Sequence, residues 1–202
     1  PKLSKVTLSK DNKSFKMQKG LLLNKKGTKL IWAVPAKNKI TVPDSVTSIA
    51  DNALKAGKAT SVYLGKKVKM IGKDAIAGKK ITKVSIAKKN KSIAKQGQCI
   101  YEKKSGKLLI AVAKKNVVKI GNKVKLISED ASLCGSRQLK KLDIGASVKT
   151  LQGAWGEFYR AGYVTTTKVY FRSKNPPKLT QNNDKNYCYL PIFRDVYVPK
   201  AS

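Results

Sequence analysis

Lysine is the main reactive side chain of this sequence, because other reactive residue types are scarce. The sequence has no histidine, which removes the commonest general base, a common metal ligand and every Ser–His or Cys–His arrangement. It has no glycine-rich phosphate loop, and its three cysteines lack the spacing of a zinc site. We therefore expect no enzyme, no cofactor and no metal site. We interpret the cysteines as small buried apolar residues: Cys99, Cys134 and Cys188.

Positive charge is the strongest compositional signal. The chain has 44 Lys and Arg against 11 Asp and Glu, which gives a net charge of +33. This balance is typical of a protein with an anionic partner, but a solvated lysine surface without any specific partner would have the same composition. Arginine, the residue best suited to forked phosphate recognition, is rare. No nucleic-acid-binding motif is present, so we do not expect a nucleic acid as the partner.

A repeat of 22 residues determines where these lysines lie. Apolar residues recur at this spacing, and a period between about 20 and 50 residues is typical of a solenoid. Each coil of a solenoid buries its apolar side only against its neighbours, and the stack presents a surface rather than a pocket. The pattern therefore favours binding over catalysis. The matching pairs are Val42 and Leu64, Val46 and Val68, Ile49 and Ile71, and Ala53 and Ala75.

A second repeat, of 78 residues, lies over the first. Roughly the first 54 residues recur without gaps as residues 79–132, and both copies carry an insert in which two apolar runs flank a glycine-bearing turn. This pattern predicts a β-hairpin near residues 20–34 and another near 98–112. Among the matching pairs are Leu8 and Ile86, Asn12 and Asn90, Leu30 and Leu108, and Ala53 and Ala131.

Each coil begins with a short alternation of apolar and polar residues, which predicts a half-buried strand. Seven such strands running in one direction would form one parallel sheet. Acidic residues such as Asp51 and Asp74 precede an alanine later in the coil, where they suit the start of a short helical turn. The predicted strands are residues 6–8, 40–42, 62–64, 84–86, 118–120, 142–144 and 169–171.

The period ends at Gly153, and the chain beyond it is irregular and rich in aromatic residues. A solenoid needs a distinct last unit to cover its open apolar end. We therefore expect a single domain over residues 1–202, with regular coils in 1–152 and a capping region in 153–202. The alternative is that the aromatic residues form a recognition patch, for example for a glycan.

Outward side chains of the predicted strands form the candidate binding face. If the apolar residues of each strand point inward, the residues between and before them form two outward rows, in which lysine is frequent. The alternative is that these side chains form a solvated sheet face without a specific partner. The candidate partner-binding residues are Lys5, Thr7, Lys39, Thr41, Tyr63, Lys83, Ser85, Lys119, Lys141, Lys168 and Tyr170.

Residues 40–54 follow the pattern I-x-V-P-x-x-V-x-x-I-x-x-x-A-L. This motif resembles the leucine-rich repeats of the BspA type, whose units read roughly I-x-I-P-x-x-V-x-x-I-x-x-x-A-F. The chain departs from it at Leu54, Ile76 and Ser132, where the family has Phe, and keeps the proline only at Pro43.

This resemblance implies a right-handed solenoid and a bacterial protein that is extracellular or exposed on the cell surface. Members of the family are implicated in adhesion to host matrix proteins, other bacteria or epithelium. Two function classes remain open. One is an adhesin-like module that recognises a host or bacterial surface protein or an anionic glycan, and the other is a structural spacer within a larger surface protein. A non-specific polyanion binder is a further alternative. Because the chain begins at Pro1, we expect any signal or anchor segment to lie outside this sequence.

Overall fold

A computed structural model describes the protein over residues 6–34, 38–54, 58–78, 80–136, 138–153, 168–180 and 195–199. These residues form short strands joined by tight turns. The strands in chain order are β1 (Phe15–Gln18), β2 (Leu21–Asn24), β3 (Lys29–Ala33), β4 (Lys39–Thr41), β5 (Ser48–Ile49), β6 (Ser61–Leu64), β7 (Met70–Ile71), β8 (Lys83–Ile86), β9 (Ile93–Gln96), β10 (Cys99–Glu102), β11 (Leu108–Val112), β12 (Val117–Ile120), β13 (Leu126–Ser128), β14 (Ser132–Cys134), β15 (Lys141–Ile144), β16 (Thr150–Gln152), β17 (Lys168–Phe171), β18 (Lys178–Thr180) and β19 (Asp195–Tyr197).

Parallel strands form the face on which the candidate site residues lie. Strands β4, β6 and β8 make one sheet, here the N-terminal sheet, and strands β12, β15, β17 and β19 make another, the C-terminal sheet. The second residue of each observed strand in these sheets except β19 is buried, as Val62 and Val84 show, while its neighbours in the strand are more exposed. This alternation confirms the expected solenoid of parallel strands.

The expected single sheet is divided between β8 and β12, because the second hairpin contacts both sheets at that point. The Lys95 Nζ donates to the Val84 carbonyl oxygen on β8 at 2.7 Å. The Gln98 side chain bonds to the Val117 carbonyl oxygen and the Lys119 N–H on β12, each at 2.8 Å. Hairpin side chains thus bond to backbone groups at both new sheet edges, where no neighbouring strand is available to pair with them.

Two further groups of strands complete the coils. The first hairpin, β1–β2–β3, is antiparallel, and β3 continues in parallel with β5 and then β7. The second hairpin, β9–β10–β11, is also antiparallel, and β11 pairs in parallel with β14. A three-stranded parallel sheet, β13–β16–β18, lies further along the chain. The predicted hairpins near residues 20–34 and 98–112 are therefore confirmed as β2–β3 and β10–β11, and each gains a further antiparallel strand, β1 or β9, that was not predicted.

The 78-residue duplication is reproduced in the strand pairing itself. Phe15 pairs with Asn24 in the first hairpin, and Ile93 pairs with Glu102 in the second, 78 positions later. The register shifts at equivalent places in both hairpins, between residues 22 and 23 and between residues 100 and 101. Since a one-residue shift reverses which side chains are buried, the two inserts are copies in their packing as well as in their sequence.

The acidic residues of the turns join neighbouring coils. The Asp51 Oδ1 accepts the Lys73 N–H at 2.9 Å, and the Asp44 Oδ1 accepts the Lys66 N–H at 2.8 Å, each 22 residues ahead. Residues 51–54 and 73–76 form turns, and the described part of the chain contains no helix. The expectation of short helical turns capped by these carboxylates is therefore not met, because the N–H groups that they accept belong to the next coil.

The ends of the array are described only in part. Residues 6–8, expected as the first strand, are not in a strand. Strands β17, β18 and β19 continue the parallel stacks beyond Gly153. Trp155 and most other aromatic residues of the expected capping region lie outside the described residues, so the division at residue 153 stays a prediction. No helix in the described ranges is long and apolar enough to cross a membrane.

Candidate functional site

A shallow groove of about 370 Å³ lies on the outer face of the N-terminal sheet. Its lining residues include all five candidate site residues that the sequence places on these three strands. The strand register brings them together, because Thr41 pairs with Tyr63, which pairs with Ser85, and Lys39 and Lys83 both pair with Ser61. The groove is lined by Lys39, Thr41, Ser61, Val62, Tyr63, Lys83 and Ser85.

The charge of this groove is entirely positive. Lys39 and Lys83 are its charged lining residues, and neither forms an ion pair within the described ranges. The nearby acidic residue Asp44 is engaged by Lys66, whose Nζ lies 3.5 Å from its carboxylate. A hydrogen bond from the Lys66 N–H lowers the pKa of Asp44 below its ordinary value. The groove therefore offers two free ammonium groups beside three hydroxyl-bearing side chains and one phenol.

The C-terminal sheet carries the remaining described candidates in the same two rows. Lys119, Asp143 and Tyr170 are paired across β12, β15 and β17, and Tyr197 on β19 extends that row. The second row runs from Val117 through Lys141 and Lys168 to Asp195. Two candidates fall elsewhere: Thr7 is exposed outside any strand, and Lys5 lies outside the described residues.

A cluster of cations and aromatic rings surrounds Tyr170. Its ring stacks on that of Tyr197, with centroids 4.4 Å apart and an interplanar angle of 6°. The Lys141 Nζ lies 4.3 Å from the Tyr170 centroid, and the Arg172 guanidinium carbon lies 5.3 Å from it. Both distances are within the range of a cation–π attraction. The Tyr170 ring is therefore held in place, while Tyr197 remains 41% exposed.

Asp143 is held by a forked ion pair with Arg172. The Arg172 Nε and one terminal nitrogen donate to the two carboxylate oxygens at 2.6 and 2.7 Å. These hydrogen bonds, with the positive charges of Arg172, Lys141 and Lys119, lower the pKa of Asp143 below its ordinary value of 3.8. Because its negative charge is matched by Arg172, the surrounding lysines keep their excess positive charge.

Replacing Asp143 by asparagine should destabilise the protein at neutral pH and have no effect in acid. The lowered pKa means that the ionised carboxylate stabilises the folded state above the unfolded-state pKa, and that this contribution is lost as pH falls through the folded-state pKa. Because Arg172 is half exposed, we expect a fall in Tm of only about 1–3 °C at pH 7. Thermal unfolding from pH 7 to pH 2 checks this.

The control for that experiment is Asp11→Asn, which removes the same charge from an exposed turn without an ion pair in the described ranges. A Tm difference between wild type and D143N that persists unchanged at pH 2 would contradict the assignment.

Sequence reasoning missed three residues of these faces. Arg172 lies two positions after Tyr170, so extending the strand alternation by one step would have placed it on the same face. Tyr197 follows the break in the repeat, where no period locates it. Lys95 lies in a hairpin strand and reaches the sheet only through its long side chain. Burial lowers the pKa of Lys95, as do the charges of Lys114 and Lys83.

The two cysteines in the described part of the chain contribute no site. Cys99 and Cys134 are buried, as expected for small apolar residues, and burial raises the pKa of the Cys99 thiol to about 11. Cys188 lies outside the described residues. Within the described ranges no group of three or more His, Cys, Asp or Glu could hold a metal ion.

Comparison with known proteins identifies the repeat. A solved structure, a leucine-rich cell surface protein from Faecalibacterium prausnitzii, aligns with 68% of this chain and 42% of its own, at 16% identity and a TM-score of 0.49. No match was found among curated proteins. The family model of the BspA type leucine-rich repeat region matches residues 36–157 in six copies. The chain, with its 22-residue coils and parallel sheets, therefore belongs to the BspA-type leucine-rich repeat family.

Proposed function

We propose that the protein is a surface binding module that holds an anionic glycan on the outer face of its parallel sheets. The groove on the N-terminal sheet is the main observation that supports this proposal, because its charged lining groups are both lysines and its other polar side chains are hydroxyls. Ammonium groups attract sulfate or carboxylate, and hydroxyls donate to and accept from the hydroxyls of a sugar. Within each of the two sheets the stacked strands present a row of outward side chains, as is usual for binding by solenoids.

The spacing of the two lysines favours a polymer with repeated charges over a single small anion. Lys39 and Lys83 are two strands apart, so their Cα atoms are separated by about 10 Å. At physiological ionic strength the Debye length is about 8 Å, so distant surface charges contribute little. Affinity at that salt concentration must then come from direct contacts in the groove rather than from the net charge.

The C-terminal sheet would extend the same surface with an aromatic contact. Tyr197 is half-exposed at the end of the stack on Tyr170, and Lys141 and Arg172 lie around the Tyr170 ring. An exposed ring beside cations suits the apolar face of a sugar whose substituents are acidic. Placement at the cell surface and a role in adhesion are part of this proposal, which assigns the protein no catalytic step.

The proposal is tested by an array of glycans and matrix proteins, probed at low and at physiological salt. We expect sulfated or uronic-acid glycans to stay bound at physiological salt, while neutral glycans do not bind. Binding that disappears entirely at physiological salt would show only non-specific charge attraction and would contradict the proposal. Retention of matrix proteins without any glycan would contradict the glycan as the partner.

A further inference from the structure

The two copies of the duplicated unit differ at the tip of the hairpin. In the second copy the turn is Gly97-Gln98, where Gly97 has a φ of +57°. In the first copy it is Lys19-Gly20, with φ angles of +50° and +81°. Gly20 is thus the counterpart of Gln98, 78 positions earlier, and has no side chain.

The Gln98 carboxamide completes the edge of the C-terminal sheet in the second copy. Its Nε2 donates to the carbonyl oxygens of Val112 and Val117, at 2.9 and 2.8 Å. Its Oε1 accepts the Lys119 N–H at 2.8 Å. One primary carboxamide therefore bonds to two acceptors and one donor of the backbone, and the Val117 carbonyl oxygen also accepts the Lys114 N–H at 2.9 Å.

The same three backbone groups recur in the first copy at Val34, Lys39 and Thr41. The Val42 N–H donates to the Tyr63 carbonyl oxygen on β6 at 2.8 Å. Because backbone groups alternate along a strand, those of Lys39 and Thr41 point to the opposite edge of β4. No side chain in the described ranges is seen bonding to the Lys39 carbonyl or the Thr41 N–H at that edge.

A cavity of about 120 Å³ lies beside Gly20, in the place of a side chain equivalent to that of Gln98. Its lining includes the four residues Gly20, Val34, Lys39 and Thr41, together with Lys19, Leu21, Ala33 and Ile40. Since one water molecule occupies about 30 Å³ of liquid, the space accommodates a carboxamide with part of its alkyl stem.

We propose that this cavity binds a primary carboxamide of a partner chain, the side chain of glutamine or asparagine. A carboxamide offers two N–H donors to the carbonyls of Val34 and Lys39 and one oxygen to the Thr41 N–H. A carboxylate would place oxygen against two carbonyl oxygens, and an ammonium group could not accept the N–H. This site goes beyond the proposed glycan face and does not depend on it.

Titration of ¹⁵N-labelled protein with N-acetylglutamine methylamide, observed by NMR at physiological salt, tests the proposal. We expect a saturating shift of the Thr41 N–H resonance. N-acetylglutamate methylamide is the matched probe, which differs only in having a carboxylate, and should leave that resonance in place. Absence of a saturating shift, or an equal shift with both probes, would overturn the proposal.

Substitutions in the Lys19-Gly20 and Gly97-Gln98 turns provide the matched variants. K19G/G20Q installs the Gly-Gln turn of the second copy, so the protein's own carboxamide should occupy the cavity and abolish the Thr41 response to the probe. Q98A should open an equivalent cavity and create a new response at the Lys119 N–H. A Thr41 response that survives in K19G/G20Q, or a folded Q98A protein without a Lys119 response, would contradict the proposal.

Discussion

Replacing Lys39 and Lys83 together by glutamate is expected to weaken binding of a heparin oligosaccharide by about 100-fold or more at physiological salt. Each hydrogen bond to a charged group contributes about 1.5–3 kcal/mol, and about 1.4 kcal/mol corresponds to a tenfold change in Kd. The reversed charges also repel the ligand from the groove. Calorimetric titration of wild type and K39E/K83E measures the difference.

The matched control for this experiment is K26E/K104E. Lys26 and Lys104 are exposed at equivalent positions of the two hairpins, 78 residues apart, so the net charge changes by the same amount away from the groove. We expect this control to bind within about twofold of wild type, because screening removes most of the effect of distant charges. Equal losses in both variants would show that binding depends on total charge and would contradict a site on the sheet.

Truncation of the core leucine of either hairpin is expected to have the largest effect on stability. Leu30 and Leu108 are equivalent by the duplication, and both are 0% exposed. They belong to different core clusters, one built mainly on the N-terminal coils and the other mainly on the C-terminal coils. Because truncation removes buried methyl groups and leaves a cavity, L30A and L108A should each lower the free energy of unfolding by about 2–5 kcal/mol.

Urea unfolding of each variant measures this loss, and Met70→Ala is the control. Met70 lies on β7 but is 56% exposed, so its truncation should change the free energy of unfolding by no more than about 0.5 kcal/mol. A loss below about 1 kcal/mol in L30A or L108A would contradict the view that the two hairpins are integral parts of the core.

The rows of the sheet faces could be predicted because they follow from the period alone. A spacing of 22 residues places Tyr63 beside Thr41 and Ser85 beside Tyr63, as the strand register shows. The hairpins and their equivalence could be predicted for the same reason, since a gapless copy of the sequence implies a copy of the packing.

The break between the two parallel sheets could not be predicted, because it depends on individual hydrogen bonds rather than on the period. Lys95 and Gln98 are polar residues of a hairpin, and nothing in their spacing indicates that they bond to the edges of β8 and β12. The sequence signal for a break at this point was the spacing of the strands. Val118 lies 34 positions after Val84, whereas Val84 lies only 22 positions after Val62.

The role of the acidic residues was misjudged for a related reason. Asp51 precedes a turn in the sequence, so a local capping bond was the simplest interpretation. In the folded array the N–H of Lys73 is the group that it accepts, because stacking at the 22-residue period brings the next coil alongside. Asp44 behaves in the same way, since it accepts the Lys66 N–H of the next coil.

Mapping of the bound glycan onto the backbone tests the central claim most directly. The measurement is the change in amide chemical shifts of ¹⁵N-labelled protein on addition of a heparin oligosaccharide at physiological salt. We expect the largest changes on β4, β6 and β8, centred on Lys39, Tyr63 and Lys83, with weaker changes around Tyr197. Changes scattered over the hairpin tips and the strands β5 and β7, with none on the N-terminal sheet, would contradict the account.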